Sequence, residues 1–247
     1  MRHVALPTVT ILEPHPDDVA LSLGGLIASR AGTLDAELWL IFSESLWAPR
    51  LPPGAAIREA RLAEDRRYAS RFGLRHREFD FPDASVIGLS AIEECEVPVE
   101  TDWRLPVVVD AVAPAIAPEG FVMAPLGIGT HVDHLLTRRC SDRAAARCVY
   151  YEELPYASRA SARERYELAR TAFGAEPCAW TFDISRVRED KRSALLLYES
   201  QFTPAEIDAL MNGAPSPSAP VERVWAWNGD VTMDRLLASL GFARERG

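Results

Sequence analysis

Two short segments hold most of the residue types that could ligate a metal or move a proton. One is His15-Pro16-Asp17-Asp18 and the other is His131-Val132-Asp133-His134. Together they contain three of the five histidines in the 247-residue chain, with aspartates beside them. Imidazole and carboxylate suit zinc, and a catalytic zinc keeps three protein ligands and one position open. His15 and Asp18 are three apart, so at a helix start both can face one point. A histidine of the second segment would complete the set, leaving two aspartates and one histidine over. A hydrolase needs those parts: a carboxylate to take a proton from water, and a charged imidazole to stabilise a tetrahedral oxyanion. Each segment alone has a plainer explanation, since Asp17 and Asp18 can cap a helix and His131 can begin one. Their pairing, each directly after a buried strand, favours the metal site.

The elements that must position these residues follow from hydrophobic patterning. Val9–Glu13 is an apolar run stopped at Pro14 and Pro16, and it reads as a buried strand. Val19, Leu23 and Ile27 line one face of a helix over 19–30, with Gly32 as its stop. A strand over 36–42, a charged amphipathic helix over 55–72 closed by Gly73, and a strand over 77–81 come next. Residues 83–103 show no clean period. Helix is expected over 105–117, a buried strand over 121–126, a helix over 131–147 and a short strand over 149–151. From 158 the chain is Arg/Glu-rich and helical. A strand over 178–184, a helix over 187–200 and a strand through Trp225 and Trp227 complete the pattern. Strands alternating with helices of about a dozen residues imply crossover units, a mainly parallel sheet and an α/β fold. Ligands of such sheets bind beyond the carboxyl ends of the strands, where both histidine segments fall.

The remaining composition mostly excludes. The chain carries 36 acids against 27 bases, a net charge of −9, which argues against a nucleic-acid backbone or an anionic membrane as partner. A hydrophobic content of 48% is ample for a core and excludes disorder as the main state. No apolar run reaches the ~18–20 residues of a membrane span. The N-terminus does not read as a signal peptide, so a cytoplasmic protein is expected. Four cysteines without CxxC spacing are expected as reduced thiols. Gly24-Gly25 and Gly127/Gly129 do not form a GxGxxG fingerprint, so dinucleotide binding is not supported. Lys191, the single lysine, reads as surface charge near a helix start. Glu152-Glu153, at a strand end, could reach the site but reads more readily as structural. Trp225 and Trp227 read as core, with a sugar-stacking wall as the minor alternative, and 212–220 as a loop by composition.

Pro14-His15-Pro16-Asp17-Asp18 and His131-Val132-Asp133-His134 resemble the paired motifs of the LmbE/PIG-L family of zinc-dependent N-deacetylases. The resemblance implies a Rossmann-like, three-layer α/β fold in a single domain over 1–247. Its motif-bearing core would cover about 9–201, with a C-terminal extension over about 202–247. It implies one zinc ion held by His15, Asp18 and His134, with Asp17 as general base and His131 stabilising the oxyanion. Arg61-Leu62-Ala63-Glu64 followed by Phe72-Gly73 resembles the family's RxxE…LG helix, whose arginine contacts substrate. Asp83 is similar to a position that binds sugar hydroxyls, and Lys191…Tyr198-Glu199-Ser200-Gln201 resembles a KxxAxxxYxSQ element. The chain departs from the family at Val19, often Glu, at Val132, usually proline, and at Gly129-Thr130, where no tyrosine precedes His131. The implied reaction removes an N-acetyl group from a small N-acylated molecule, releasing acetate and an amine. The expected substrate is an N-acetylglucosaminyl conjugate or an antibiotic intermediate, since the acid excess disfavours a phosphoinositide. Alternatives are an amidase for a non-sugar or larger acyl conjugate, and a non-catalytic module that retains a metal. A homo-oligomer is compatible with the sequence but not specified by it.

Overall fold

The computed structural model describes residues 8–52, 56–89, 91–144, 146–212 and 220–245. Its centre is one eight-stranded sheet. Strands β1 (Val9–Glu13), β2 (Ala36–Leu40), β3 (Arg75–Glu78), β4 (Phe121–Pro125) and β5 (Arg147–Tyr151) run parallel in the order β3-β2-β1-β4-β5. Beyond β5, strands β6 (Pro177–Asp183), β7 (Val221–Trp227) and β8 (Ala243–Arg244) continue the sheet antiparallel, in the order β7-β6-β8.

Successive residues of the inner strands point to opposite faces, and both faces are apolar. Ile11, Met123 and Tyr151 enter one core, while Leu12, Ala124 and Tyr150 enter the other. Helices α1 (Asp18–Ser29), α2 (Ile57–Phe72), α6 (Arg188–Leu195), α7 (Pro204–Asn212) and α8 (Val231–Leu240) cover the first face. Helices α3 (Arg104–Val112), α4 (Val132–Arg143) and α5 (Ala162–Phe173) cover the second. The result is the Rossmann-like three-layer fold expected from the sequence. Strand β7, from the C-terminal extension, lies between β5 and β6, so that extension is built into the sheet.

Several boundaries differ from the pattern-based expectations. The helix expected over 105–117 ends at Val112 and gives way to a 3-10 turn, Ala113–Ala115, because Pro114 cannot continue the ladder. The third strand is Arg75–Glu78, set by its register on Glu37–Leu40. Residues 83–103 contain two short 3-10 turns, Ile92–Cys95 and Val99–Thr101. His3, the N-terminal segment over 1–7 and most of the 212–220 loop lie outside the described residues. Among the described residues no helix is long and apolar enough to cross a membrane.

Lys191 is a correction. It is buried, donating to Glu222 Oε1 at 2.8 Å and to the Leu21 carbonyl, and is not surface charge.

His76 is half of a partly buried tie. Its Nε2 meets Asp65 Oδ2 at 2.7 Å, and Asp65 Oδ1 accepts from the Tyr198 hydroxyl at 2.9 Å, joining β3, α2 and the turn after α6. Burial opposes the charged ring, yet Asp65 and Glu78 raise it above its ordinary 6.5. A group raised on folding contributes stability that is full below 6.5 and fades as pH rises through the folded value. The melting temperature should therefore fall as pH is taken above that range. A His76→Gln variant should show a flatter profile, and identical profiles would remove the tie from the account.

Candidate active site

The chain leaves β1 and β4 in opposite directions, toward β2 and β5, although the two strands are paired neighbours. That divergence opens a crevice at their carboxyl ends, the switch point where ligands of open α/β sheets bind. The His15 segment follows β1 and enters α1, and the His131 segment follows β4 and enters α4. His15, Asp17, Asp18, His131, His134, Arg61 and Asp83 all line one cavity of about 190 Å³.

Local geometry sets each side chain. Asp17 occupies the cap position of α1 but makes no capping hydrogen bond, and its φ of 110° is a left-handed conformation that few residues other than glycine adopt. Glu13 caps the helix instead, its Oε1 accepting from the Val19 amide at 3.0 Å. The capping role expected for the aspartate pair therefore belongs to Glu13, and the Asp17 carboxylate is left free in the cavity. Such strain in a buried acid is typical of functional sites.

Asp18 Oδ2 lies 3.2 Å from His15 Nδ1 and 3.4 Å from His134 Nε2. The other nitrogen of each ring is held from behind. His15 Nε2 meets Asp133 Oδ2 at 2.9 Å, and His134 Nδ1 meets Glu153 Oε1 at 3.4 Å. A carboxylate behind an imidazole fixes the tautomer that presents the opposite lone pair. His134 Nε2 is buried with no hydrogen-bond partner, and it points at the atoms His15 and Asp18 present. An orphaned ring nitrogen, a second imidazole and a carboxylate oxygen converging in this way form the donor set of a divalent cation. Burial opposes charge on His15, but hydrogen bonds from its ring to Asp133 and Asp18 push it up to about 10. Burial likewise opposes ionised Asp18, while His134 and His15 hold it below the usual carboxylate range.

His15, His131 and Asp133 also lie close enough to suggest a second metal group. Their acceptors are already spent. Asp133 Oδ2 receives the Ala84 amide at 2.8 Å as well as His15, and Oδ1 faces the Arg104 guanidinium at 2.8 Å. This group supports the first set. Arg104 is itself almost wholly buried, forked onto Asp102 and bonded to the Pro82 carbonyl at 2.7 Å.

Burial pushes Asp17 up to about 7, against the pull of the Arg61 guanidinium 3.7 Å away. A carboxylate poised there can both take and return a proton near neutral pH. His131 Nδ1 accepts from the Asp133 amide at 3.2 Å, which leaves Nε2–H as its donor. Burial, then the neighbouring His134 and His15, push this ring down to about 3. An imidazole held in this way can donate a hydrogen bond from Nε2.

The chain is 38% identical over 202 residues to 2'-N-acetylparomamine deacetylase of Streptomyces fradiae, a match covering 77% of this chain and 72% of that protein. It belongs to the LmbE/PIG-L family of N-deacetylases. No family model matches it. Among solved structures, a deacetylase of the teicoplanin biosynthesis pathway superposes with a TM-score of 0.67 at 20% identity, over 96% of this chain and 98% of that one. N,N'-diacetylchitobiose deacetylase from Pyrococcus horikoshii gives a TM-score of 0.52 at 16% identity, over 89% and 83%. Both share the fold.

Within the deacetylase, the weaker sequence elements prove to be one assembly. Glu64 accepts from the Ser200 amide at 2.8 Å and its hydroxyl at 2.7 Å, so the RxxE helix seats the YxSQ turn and brings Gln201 to the cavity. Arg61 is 4% exposed, not a solvated helix face, and reaches the Pro16 carbonyl at 3.1 Å beside Asp17. Asp83 lines the cavity while its Oδ1 accepts from the Val86 amide in a turn. Glu152 and Glu153 separate. Glu152 is structural, bonded to Trp225 and paired with Arg165, whereas Glu153 stands behind His134. Asp133 and Arg104 had no assigned task in the sequence, whereas Glu153 carried a signal in its place at a strand end.

Proposed function

We propose that the deacetylase is zinc-dependent and acts on an amino sugar of the N-acetylglucosaminyl type, an intermediate of antibiotic or related secondary metabolism. The observation that carries the metal is the buried, unpartnered His134 Nε2, aimed at His15 and Asp18. The substrate class is supported by the relative that deacetylates 2'-N-acetylparomamine and by the polar side chains of Asp83 and Gln201 on the cavity wall.

A zinc ion held by His15, Asp18 and His134 would polarise the amide carbonyl and the attacking water as a Lewis acid. Asp17 takes a proton from that water as its oxygen adds to the carbonyl carbon. The Nε2–H of His131 donates to the carbonyl oxygen as negative charge develops there. The proton on Asp17 then passes to the nitrogen as the C–N bond breaks, leaving acetate and a free amine. Arg61 and Asp83 form the substrate-facing wall, Asp83 toward sugar hydroxyls. Asp133 and Glu153 keep the two imidazoles in their ligating tautomers, with Arg104 fixing Asp133.

Acetate release should vanish with chelator and return with zinc, and should favour N-acetyl sugars over non-sugar amides in a substrate panel. Metal analysis should find about one zinc per chain in the wild type and a large loss in His134→Ala. Full zinc content in that variant would remove His134 from the ligand set.

A further inference from the structure

Trp225 is buried in the core and Trp227 is exposed at the end of β7, and neither lines the catalytic cavity; a different tryptophan does. Trp47, on the loop after β2, stands at its wall. The backbone of this loop is pinned on both sides of the indole. Ser45 Oγ accepts from Arg61 Nη1 at 3.0 Å and from the Trp47 amide at 3.1 Å. Arg61 Nη1 also reaches the Trp47 carbonyl at 3.3 Å. The Leu46 amide donates to Ser85 Oγ at 2.9 Å, and the Ser85 hydroxyl donates to Asp83. Two buried charged residues of the cavity wall, Arg61 and Asp83, therefore fix where this loop lies.

The indole they hold is 45% exposed. Covering so large an apolar ring with the apolar face of a ligand is favourable. A rigid backbone under an exposed aromatic ring at a cavity mouth is the arrangement of a recognition platform. The rest of the wall is amphipathic in the same way: Leu89 and Phe202 are apolar, and Asp83 and Gln201 are polar. A pyranose ring has a matching character, with a face of C–H bonds and a rim of hydroxyls. Indole meets both, through its apolar face and its N–H.

We propose that Trp47 is the platform on which the sugar ring bearing the N-acetyl group stacks, making it a specificity-determining residue of the deacetylation. Arg61 is then a positioning residue twice over. One guanidinium contacts the Trp47 carbonyl and, 3.7 Å away, the Asp17 carboxylate, so platform and general base keep a fixed separation. This inference rests on the amino-sugar reading above.

The test is steady-state kinetics of zinc-loaded Trp47→Ala and Trp47→Phe on an N-acetylglucosaminide, with zinc content measured alongside. Trp47→Ala should raise KM by about tenfold or more with kcat little changed and zinc retained, and Trp47→Phe should recover most of the loss. An unchanged KM in Trp47→Ala would overturn the proposal. So would a fall in kcat and zinc content at constant KM, which marks a purely structural role. Wild-type enzyme that cleaves acyclic N-acetyl amines but no N-acetyl sugar would overturn the substrate reading, and the platform with it.

Discussion

Asp17→Asn should lower kcat/KM by about 10²–10⁴ while zinc content stays at the wild-type level, the loss expected when a general base is removed. Asparagine is the informative replacement because it keeps the volume of the side chain and tolerates positive φ better than alanine does. Asp17 sits at φ 110°, so Asp17→Ala would mix backbone strain with the loss of the base. The size of the effect follows from the environment. The carboxylate is buried, is pushed up to about 7, and neighbours the proposed ligand Asp18 without sharing its contacts. An amide there can neither accept the water's proton nor return one to the leaving amine. The check pairs kinetics with elemental analysis, since a fall in zinc would mean that the change had reached the ligands. Near-wild-type turnover with zinc bound would end the assignment of Asp17 as base.

How far this site could be read in advance depended on the distance over which each residue acts. The His15 and His131 segments were legible because ligand type, strand end and helix start all lie within a few residues of one another. The parallel order was legible too, since alternating strands and helices leave few ways to cross over. The residues that hold the ligands were not. Glu153 acts on His134 across the β5 terminus, and Arg104, just outside the helix expected over 105–117, acts on Asp133 from the start of α3. Trp47 gave no periodic signal, because its position is set by Arg61 from a helix and by Ser85 from another loop. Asp17 misled in the opposite sense. Its type and place fit an N-cap, but Glu13 had already taken the amide that a cap would serve. Lys191 was harder still, since its partner lies 31 residues away on a strand and its target helix 170 residues away.

That buried pair should produce the largest stability effect in the molecule outside its apolar core. Lys191 Nζ donates to the Leu21 carbonyl, and Glu222 accepts from the Gly25 amide at 2.6 Å and the Leu26 amide at 2.8 Å. Leu21 and Gly25 are i and i+4 of α1, so the pair grips the ends of one rung of that helix. Its close approach depends on the glycines: a Cβ on Gly25 would lie 2.3 Å from Ile184 Cγ2 and 3.0 Å from Glu222 Oε1. Lysine and glutamate are 3% and 0% exposed in their side chains, so removing either strands a charge away from water. Lys191→Met should cost about 3–5 kcal/mol, the range for breaking a buried ion pair from one side. For a chain of this length that corresponds to a melting temperature lower by roughly 6–20 °C. Lys191→Met combined with Glu222→Gln should be less damaging than the sum of the two single changes, because the double variant leaves no charge unpaired. Strict additivity would mean that the two residues stabilise α1 independently. A loss below about 1 kcal/mol in Lys191→Met would mean that water reaches the Glu222 carboxylate, contrary to its burial.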